Sequence, residues 1–241
     1  MNDREIDDIL KQAAQAPGQV DPALLDRIAG TIQSSLRPVR PLPPAWVLSL
    51  GLVLVCAAVA LAGAARSGFY GIQKLTAFER ALIFPTLVIF MALAAAACVG
   101  QMIPGSRRRV APGSLVAGGS LALAAVFAAV FHDYQTAHFV SQGLVCLAAG
   151  LFYAVPAALA SWLVLRRGFA VNAVAAGLVA GTLAGLAGVT MLELHCANLQ
   201  APHVMLWHTA VMPVSGAAGA LLAWLLRYRA GSDANERSAS E

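Results

Sequence analysis

Six long apolar runs alternate with short polar stretches along this chain, at about 45–64, 81–104, 114–131, 140–165, 171–194 and 204–226. A helix needs roughly 20 apolar residues to cross the hydrocarbon of a bilayer, and a longer one spans with tilt. The run 114–131 is the shortest, but its only polar side chains are Ser114 and Ser120. The pattern predicts an all-α fold, a polytopic membrane protein whose residues 45–226 form a six-transmembrane-helix bundle. The first apolar run begins only at Ala45, behind a polar, proline-punctuated segment. It is therefore expected to stay in the chain as a span and not to be removed as a signal peptide.

Residues 1–44 read as a separate unit. Ile6, Ile9, Leu10 and Ala13 recur at helical spacing, and Ala16-Pro17-Gly18 ends that pattern. Asp21 followed by Pro22 is a good start for a second helix, with Leu24, Leu25, Ile28, Ile32 and Leu36 as an apolar stripe. A proline-rich connector then leads into span one. The expectation is a short cytoplasmic N-terminal helical hairpin. It is too small to hold a core, so its stripes must pair, lie on the membrane or dock on a partner. Its five basic and six acidic side chains make a poor match to anionic lipid, which favours a basic polar face. Docking is therefore preferred, with Leu24, Leu25, Ile28 and Ile32 as contact candidates. The polar stretch 227–241 predicts a disordered cytoplasmic tail.

Charge orients the bundle. The chain is 59% hydrophobic and 12% charged, and its formal net charge of +4 is too small to say much except by its placement. Arg37 and Arg40 precede span one, Arg107 to Arg109 follow span two, Arg166 and Arg167 follow span four, and Arg227 and Arg229 follow span six. The loops between spans three and four and between five and six carry no Lys or Arg; the loop between one and two, with Arg66, Lys74 and Arg80, dissents. The positive-inside rule then puts both termini in the cytoplasm.

That topology moves one window to the outer face. Residues 193–203 read Glu-Leu-His-Cys-Ala-Asn-Leu-Gln-Ala-Pro-His, with His208 close behind, so Cys196 and three of the five histidines sit together. Thiols and imidazoles oxidise, bind soft metals or titrate near neutral pH. Cys146 begins span four near the same face, whereas Cys56 lies mid-span and Cys98 toward the cytoplasmic end of span two. Cys146 and Cys196 can form a redox pair on an oxidising face; the bland alternative is that each is a small apolar side chain. His195, Cys196, His203 and His208 are candidate ligands for a soft metal. Their spacing matches no standard finger, and the adjacent His195 and Cys196 point apart on a helix. Glu193, Asp133 and His138 join His208 at this level only by topology. With no triad order, paired carboxylates, HExxH or phosphate loop, no enzyme is expected. Gly177, Gly181 and Gly185 in span five, and Gly216 and Gly219 in span six, favour close helix packing, within the bundle or between the subunits of a homodimer.

Six spans behind a short cytoplasmic segment, Cys146 and Cys196 near the outer face, and the Leu194-His195-Cys196, His203, His208 signature before the last span together resemble the NrsF-like family. Its members are membrane-bound negative regulators, anti-sigma factors, of extracytoplasmic-function sigma factors. The resemblance implies a protein of the bacterial inner membrane that sequesters such a sigma factor and releases it on oxidative or heavy-metal stress sensed at Cys146 and Cys196. It implies a sigma factor and membrane lipid as partners, no direct contact with nucleic acid, and no cofactor beyond a transient soft metal ion. The competing reading is a small polytopic transporter or metal-handling membrane protein.

Overall fold

Local chemistry at the ends of each apolar run decides where the helices start and stop. In the computed structural model, which describes residues 8, 11, 22–35, 42–103, 110–136, 138–168, 170 and 172–239, no strand occurs among the described residues. The first span, α2 (Ala45–Ser67), follows Pro43-Pro44 and ends at Gly68, whose φ of 102° is a conformation that side chains with a Cβ rarely adopt. A single helical turn, α3 (Tyr70–Lys74), lies between spans one and two. Span two, α4 (Ala77–Gly100), opens with a capping box. The Thr76 N–H donates to Glu79 Oε2 at 2.6 Å, and the Glu79 N–H donates to Thr76 Oγ1 at 3.3 Å. This helix therefore starts four residues before the apolar run that predicts it.

Pro112 occupies the first position of α5 (Pro112–Val130), where its missing N–H costs nothing. Span four is α6 (Phe139–Leu165), and span five is α7 (Ala173–His195), whose Ala175 N–H is capped by Asn172 Oδ1 at 3.0 Å. The sixth span runs over Ala201–Arg227 in three parts: an α turn Ala201–His203, a π turn Val204–His208, and α8 from Thr209 to Ala239. All six are long and apolar enough to cross a membrane. The backbone of α8 carries on through the stretch whose polarity predicts a disordered tail. After Pro213 no proline stops it, and Gly231 is the only glycine beyond Gly219.

Span five is the axis of the bundle. Every residue from Val179 to Leu194 is buried, and α2, α4, α6 and α8 all pack against it. Its sequence explains this. Glycine and alanine recur on all sides, so neighbouring backbones approach from several directions, and a helix apolar all round belongs in an interior. A Cβ on Gly181 would run into the Ser215 carbonyl, and Gly177 and Gly219 face each other just as closely. The glycine repeats thus pack spans five and six within one chain. The outer surface of the bundle carries Leu54, Ile89, Leu121, Phe152 and Leu222, each at least half exposed, as lipid-facing side chains would be.

Residues 1–42 form a unit distinct from residues 43–241. Within it, α1 (Pro22–Ser35) is the helix predicted after Asp21, and Ile28 on its stripe is exposed. The side chains of Leu24, Leu25 and Ile32, and the whole first helical pattern of Ile6, Ile9, Leu10 and Ala13, fall outside the described residues.

Candidate functional site

Three interhelical loops meet at the end of the bundle where span five stops. The Ala201 N–H, one of the unpaired donors at a helix start, is taken up by the Asp133 carbonyl at 2.6 Å. Asn198 Oδ1 accepts from the Gln200 N–H at 3.1 Å, and Asn198 Nδ2 donates to Gln142 Oε1 at 2.8 Å, which ties the loop to span four. Lys74 Nζ donates to the Ala197 carbonyl at 3.0 Å, placing a cation beside the C-terminal end of α7. Gly71 lets α3 lie directly on that end: a Cβ there would fall 2.6 Å from the Glu193 carbonyl oxygen and 2.7 Å from that of Cys196.

Inside this frame Cys146, Cys196, His203 and His208 converge, their four ligand-type atoms all within 4.8 Å of one another. Cys146 Sγ lies 3.6 Å from Cys196 Sγ, and Cys196 Sγ lies 3.7 Å from His203 Nε2. The rings of His203 and His208 meet edge to face with centroids 5.2 Å apart. His203, His208 and Cys196 are buried, and Cys146 is partly so. Contact with Cys146 and burial together raise the Cys196 thiol above its ordinary range, while His203 and His208 draw it partly back.

Each ligand arrives for a local reason. Cys196 is the residue at which α7 breaks: its N–H still reaches the Leu192 carbonyl at 2.7 Å, but its own backbone is extended, which turns Sγ away from the helix surface. Cys146 is brought in by glycines on α6. Gly143 leaves room for the Trp207 indole, which a Cβ would strike, and Gly150 lets α6 settle against Leu192 and Val211. The two histidines depend on the π turn. Residues five apart on an α-helix point about 140° away from each other, at 3.6 residues per turn. The wider turn over Val204–His208, closed by the Thr209 N–H reaching back to the Val204 carbonyl, returns His208 to the side of His203. Such turns recur at functional sites.

A carboxylate stands behind the cluster. His208 Nδ1 is 2.6 Å from Glu193 Oε1, and both residues are fully buried. With the Nδ1–H donated to Glu193, the imidazole presents Nε2 to the other side, where it is buried and has no hydrogen-bond partner. His203 Nδ1 and Glu193 Oε2 are also buried without one.

The sequence-derived residues therefore divide. Cys146, Cys196, His203 and His208 come together. His195 does not: its Nδ1 is 3.0 Å from the Gly68 carbonyl oxygen, and its ring lies 5.9 Å from that of Tyr70. As the last residue of α7 it meets the end of span one, whereas Cys196 meets Cys146 on span four. Of the groups placed near His208 by topology alone, Glu193 is its direct partner. Asp133 instead serves the backbone, and His138 sits at the start of α6 with a φ of 55°. Cys56 and Cys98 are buried in spans one and two.

A family model described as "NrsF: Negative regulator of sigma F" matches residues 33–228. No curated protein and no solved structure matches the chain.

Proposed function

Because the chain belongs to the NrsF family, negative regulators of a sigma factor, we propose that it is an anti-sigma factor whose outer-face thiols govern release of an extracytoplasmic-function sigma factor. Negative regulation and a sigma-factor partner follow from the family, and six span-capable helices fit a membrane protein. The regulator family also fits a non-enzymatic role. The rest of the proposal is carried by one observation. Two thiols, Cys146 on span four and Cys196 in the loop after span five, lie 3.6 Å apart at the end of the bundle opposite Arg166, Arg167 and Arg227. The positive-inside rule assigns the arginine end to the cytoplasm, together with residues 1–42, and hence the thiols to the outer face of the inner membrane.

On this reading a peroxide takes two electrons from the pair. Two thiols and one hydrogen peroxide give one disulfide and two waters. The sulfurs must close to about 2.05 Å, a small rearrangement of one loop residue against one helix. A soft metal ion would instead bridge the same two sulfurs near their present separation and draw the imidazoles of His203 and His208 in beside them. Either event biases the packing of spans four, five and six, and a signal of this kind acts only by favouring one of two arrangements of the bundle. The N-terminal segment is the part that would hold the sigma factor away from RNA polymerase.

The test is a reporter driven by the sigma-dependent promoter. Peroxide and cadmium should induce it in cells with the unaltered protein, and Cys146→Ser or Cys196→Ser should each abolish induction. Full induction in the double serine variant would refute cysteine sensing.

A further inference from the structure

We propose that Cys146, Cys196, His203 and His208 form a tetrahedral site for a zinc-class divalent cation, with Glu193 as the carboxylate that orients His208. The site is the same cluster, and its meaning for signalling rests on the reading above; the binding of the cation does not.

Three features of the geometry support it. The first is spacing. Tetrahedral zinc holds sulfur at about 2.3 Å and nitrogen at about 2.0 Å, which sets sulfur–sulfur edges near 3.7 Å and sulfur–nitrogen edges near 3.5 Å. The Cys146–Cys196 and Cys196–His203 separations are 3.6 and 3.7 Å. The widest pair in the cluster is within 4.8 Å, so closing on an ion asks for movements of about 1 Å or less per side chain.

The second is the buried, unpartnered Nε2 of His208. Its other nitrogen is committed to Glu193 at 2.6 Å, the carboxylate–histidine arrangement that fixes the tautomer of a metal-binding imidazole. Its neighbour on that side is the weakly bonding thiol of Cys196, and a cation in the cluster would satisfy this buried nitrogen more fully. The third is the donor set. Two thiolates neutralise a divalent charge, and sulfur with imidazole in tetrahedral array selects zinc over magnesium, calcium or manganese, which take oxygen. Four protein ligands also close the site, as in structural zinc sites, and leave no open position for catalysis.

The experiment uses the full chain purified in detergent under reducing conditions, without a sigma factor. Zinc measured by plasma mass spectrometry should come to one ion per chain. Cobalt(II) loaded in its place should give the intense visible bands of tetrahedral thiolate coordination. Cys146→Ser, Cys196→Ser and His208→Ala should lose those bands, and His195→Ala should keep both bands and stoichiometry. Should a ligand variant fail to fold, the unaltered protein and His195→Ala still decide the matter. Folded, reduced protein that takes up neither zinc nor cobalt would overturn the proposal, as would equal loss in His195→Ala. If no metal binds but the serine variants still block induction, the metal site fails and thiol sensing stands.

Discussion

Replacing Glu193 tests whether the buried carboxylate controls how tightly the cluster holds a cation. The group lies 2.6 Å from His208 Nδ1, and both partners are essentially inaccessible to solvent. Glu193→Gln keeps an acceptor of the same shape but removes its charge. Hydrogen bonds to charged groups contribute about 1.5–3 kcal/mol and neutral ones about 0.5–1.5, so about 1–1.5 kcal/mol is lost. That corresponds to roughly a tenfold weaker zinc affinity. Glu193→Leu removes the acceptor as well and leaves a buried Nδ1–H unsatisfied, at a further cost of about 1–3 kcal/mol. The combined loss of about 2–4.5 kcal/mol corresponds to an affinity lower by about thirtyfold or more, at or beyond the upper end for partners that support a metal ligand from behind. Competition against a chromophoric zinc chelator in detergent measures both. Stoichiometry should remain at one while affinity falls in the order unaltered, Gln, Leu. Equal affinities in all three folded proteins would refute the reasoning, because His208 would then need no orientation.

The packing makes further predictions. Gly143→Leu places a side chain where the Trp207 indole lies, so it should displace the π turn, lower the melting temperature and weaken zinc binding; overpacking of this kind costs about 1–3 kcal/mol. Gly181→Leu forces spans five and six apart near Ser215, and should lower the melting temperature by a similar energy. At the other end, deleting residues 1–36 should make the sigma-dependent reporter constitutively active. Leu24→Asp with Ile28→Asp should do the same without changing the melting temperature of the membrane domain; an unchanged reporter would show that this stripe is not the docking surface.

The spans were legible because crossing a bilayer demands a long apolar run, and nothing else in the chain imitates one. Their ends were less so. Glu79 and Arg80 look like loop residues, yet Glu79 is the N3 member of the capping box that starts α4 at Ala77. The pairing of Cys146 with Cys196 followed from topology, since both fall at one end whenever six spans alternate. The histidines were harder. Nothing in Val-Met-Leu-Trp-His announces a π turn, and on an ordinary helix His203 and His208 would diverge. Glu193 and His208 are neighbours only because a break at Cys196 reverses the chain between them. His195 shows the converse: it adjoins Cys196 in sequence but faces Gly68. Leu24, Leu25, Ile28 and Ile32 lie outside residues 33–228, so the six spans carry the family match and these four contact candidates do not.

The central claim is that the state of two outer thiols decides whether a sigma factor stays on the membrane. The most direct measurement is the amount of sigma factor that sediments with membranes before and after peroxide or cadmium, in cells carrying the unaltered protein or the Cys146→Ser, Cys196→Ser double variant. The account predicts that the sigma factor sediments with both membranes at rest and leaves only those with the cysteines intact. Equal release from both, or no sigma factor on the membrane at rest, would contradict it.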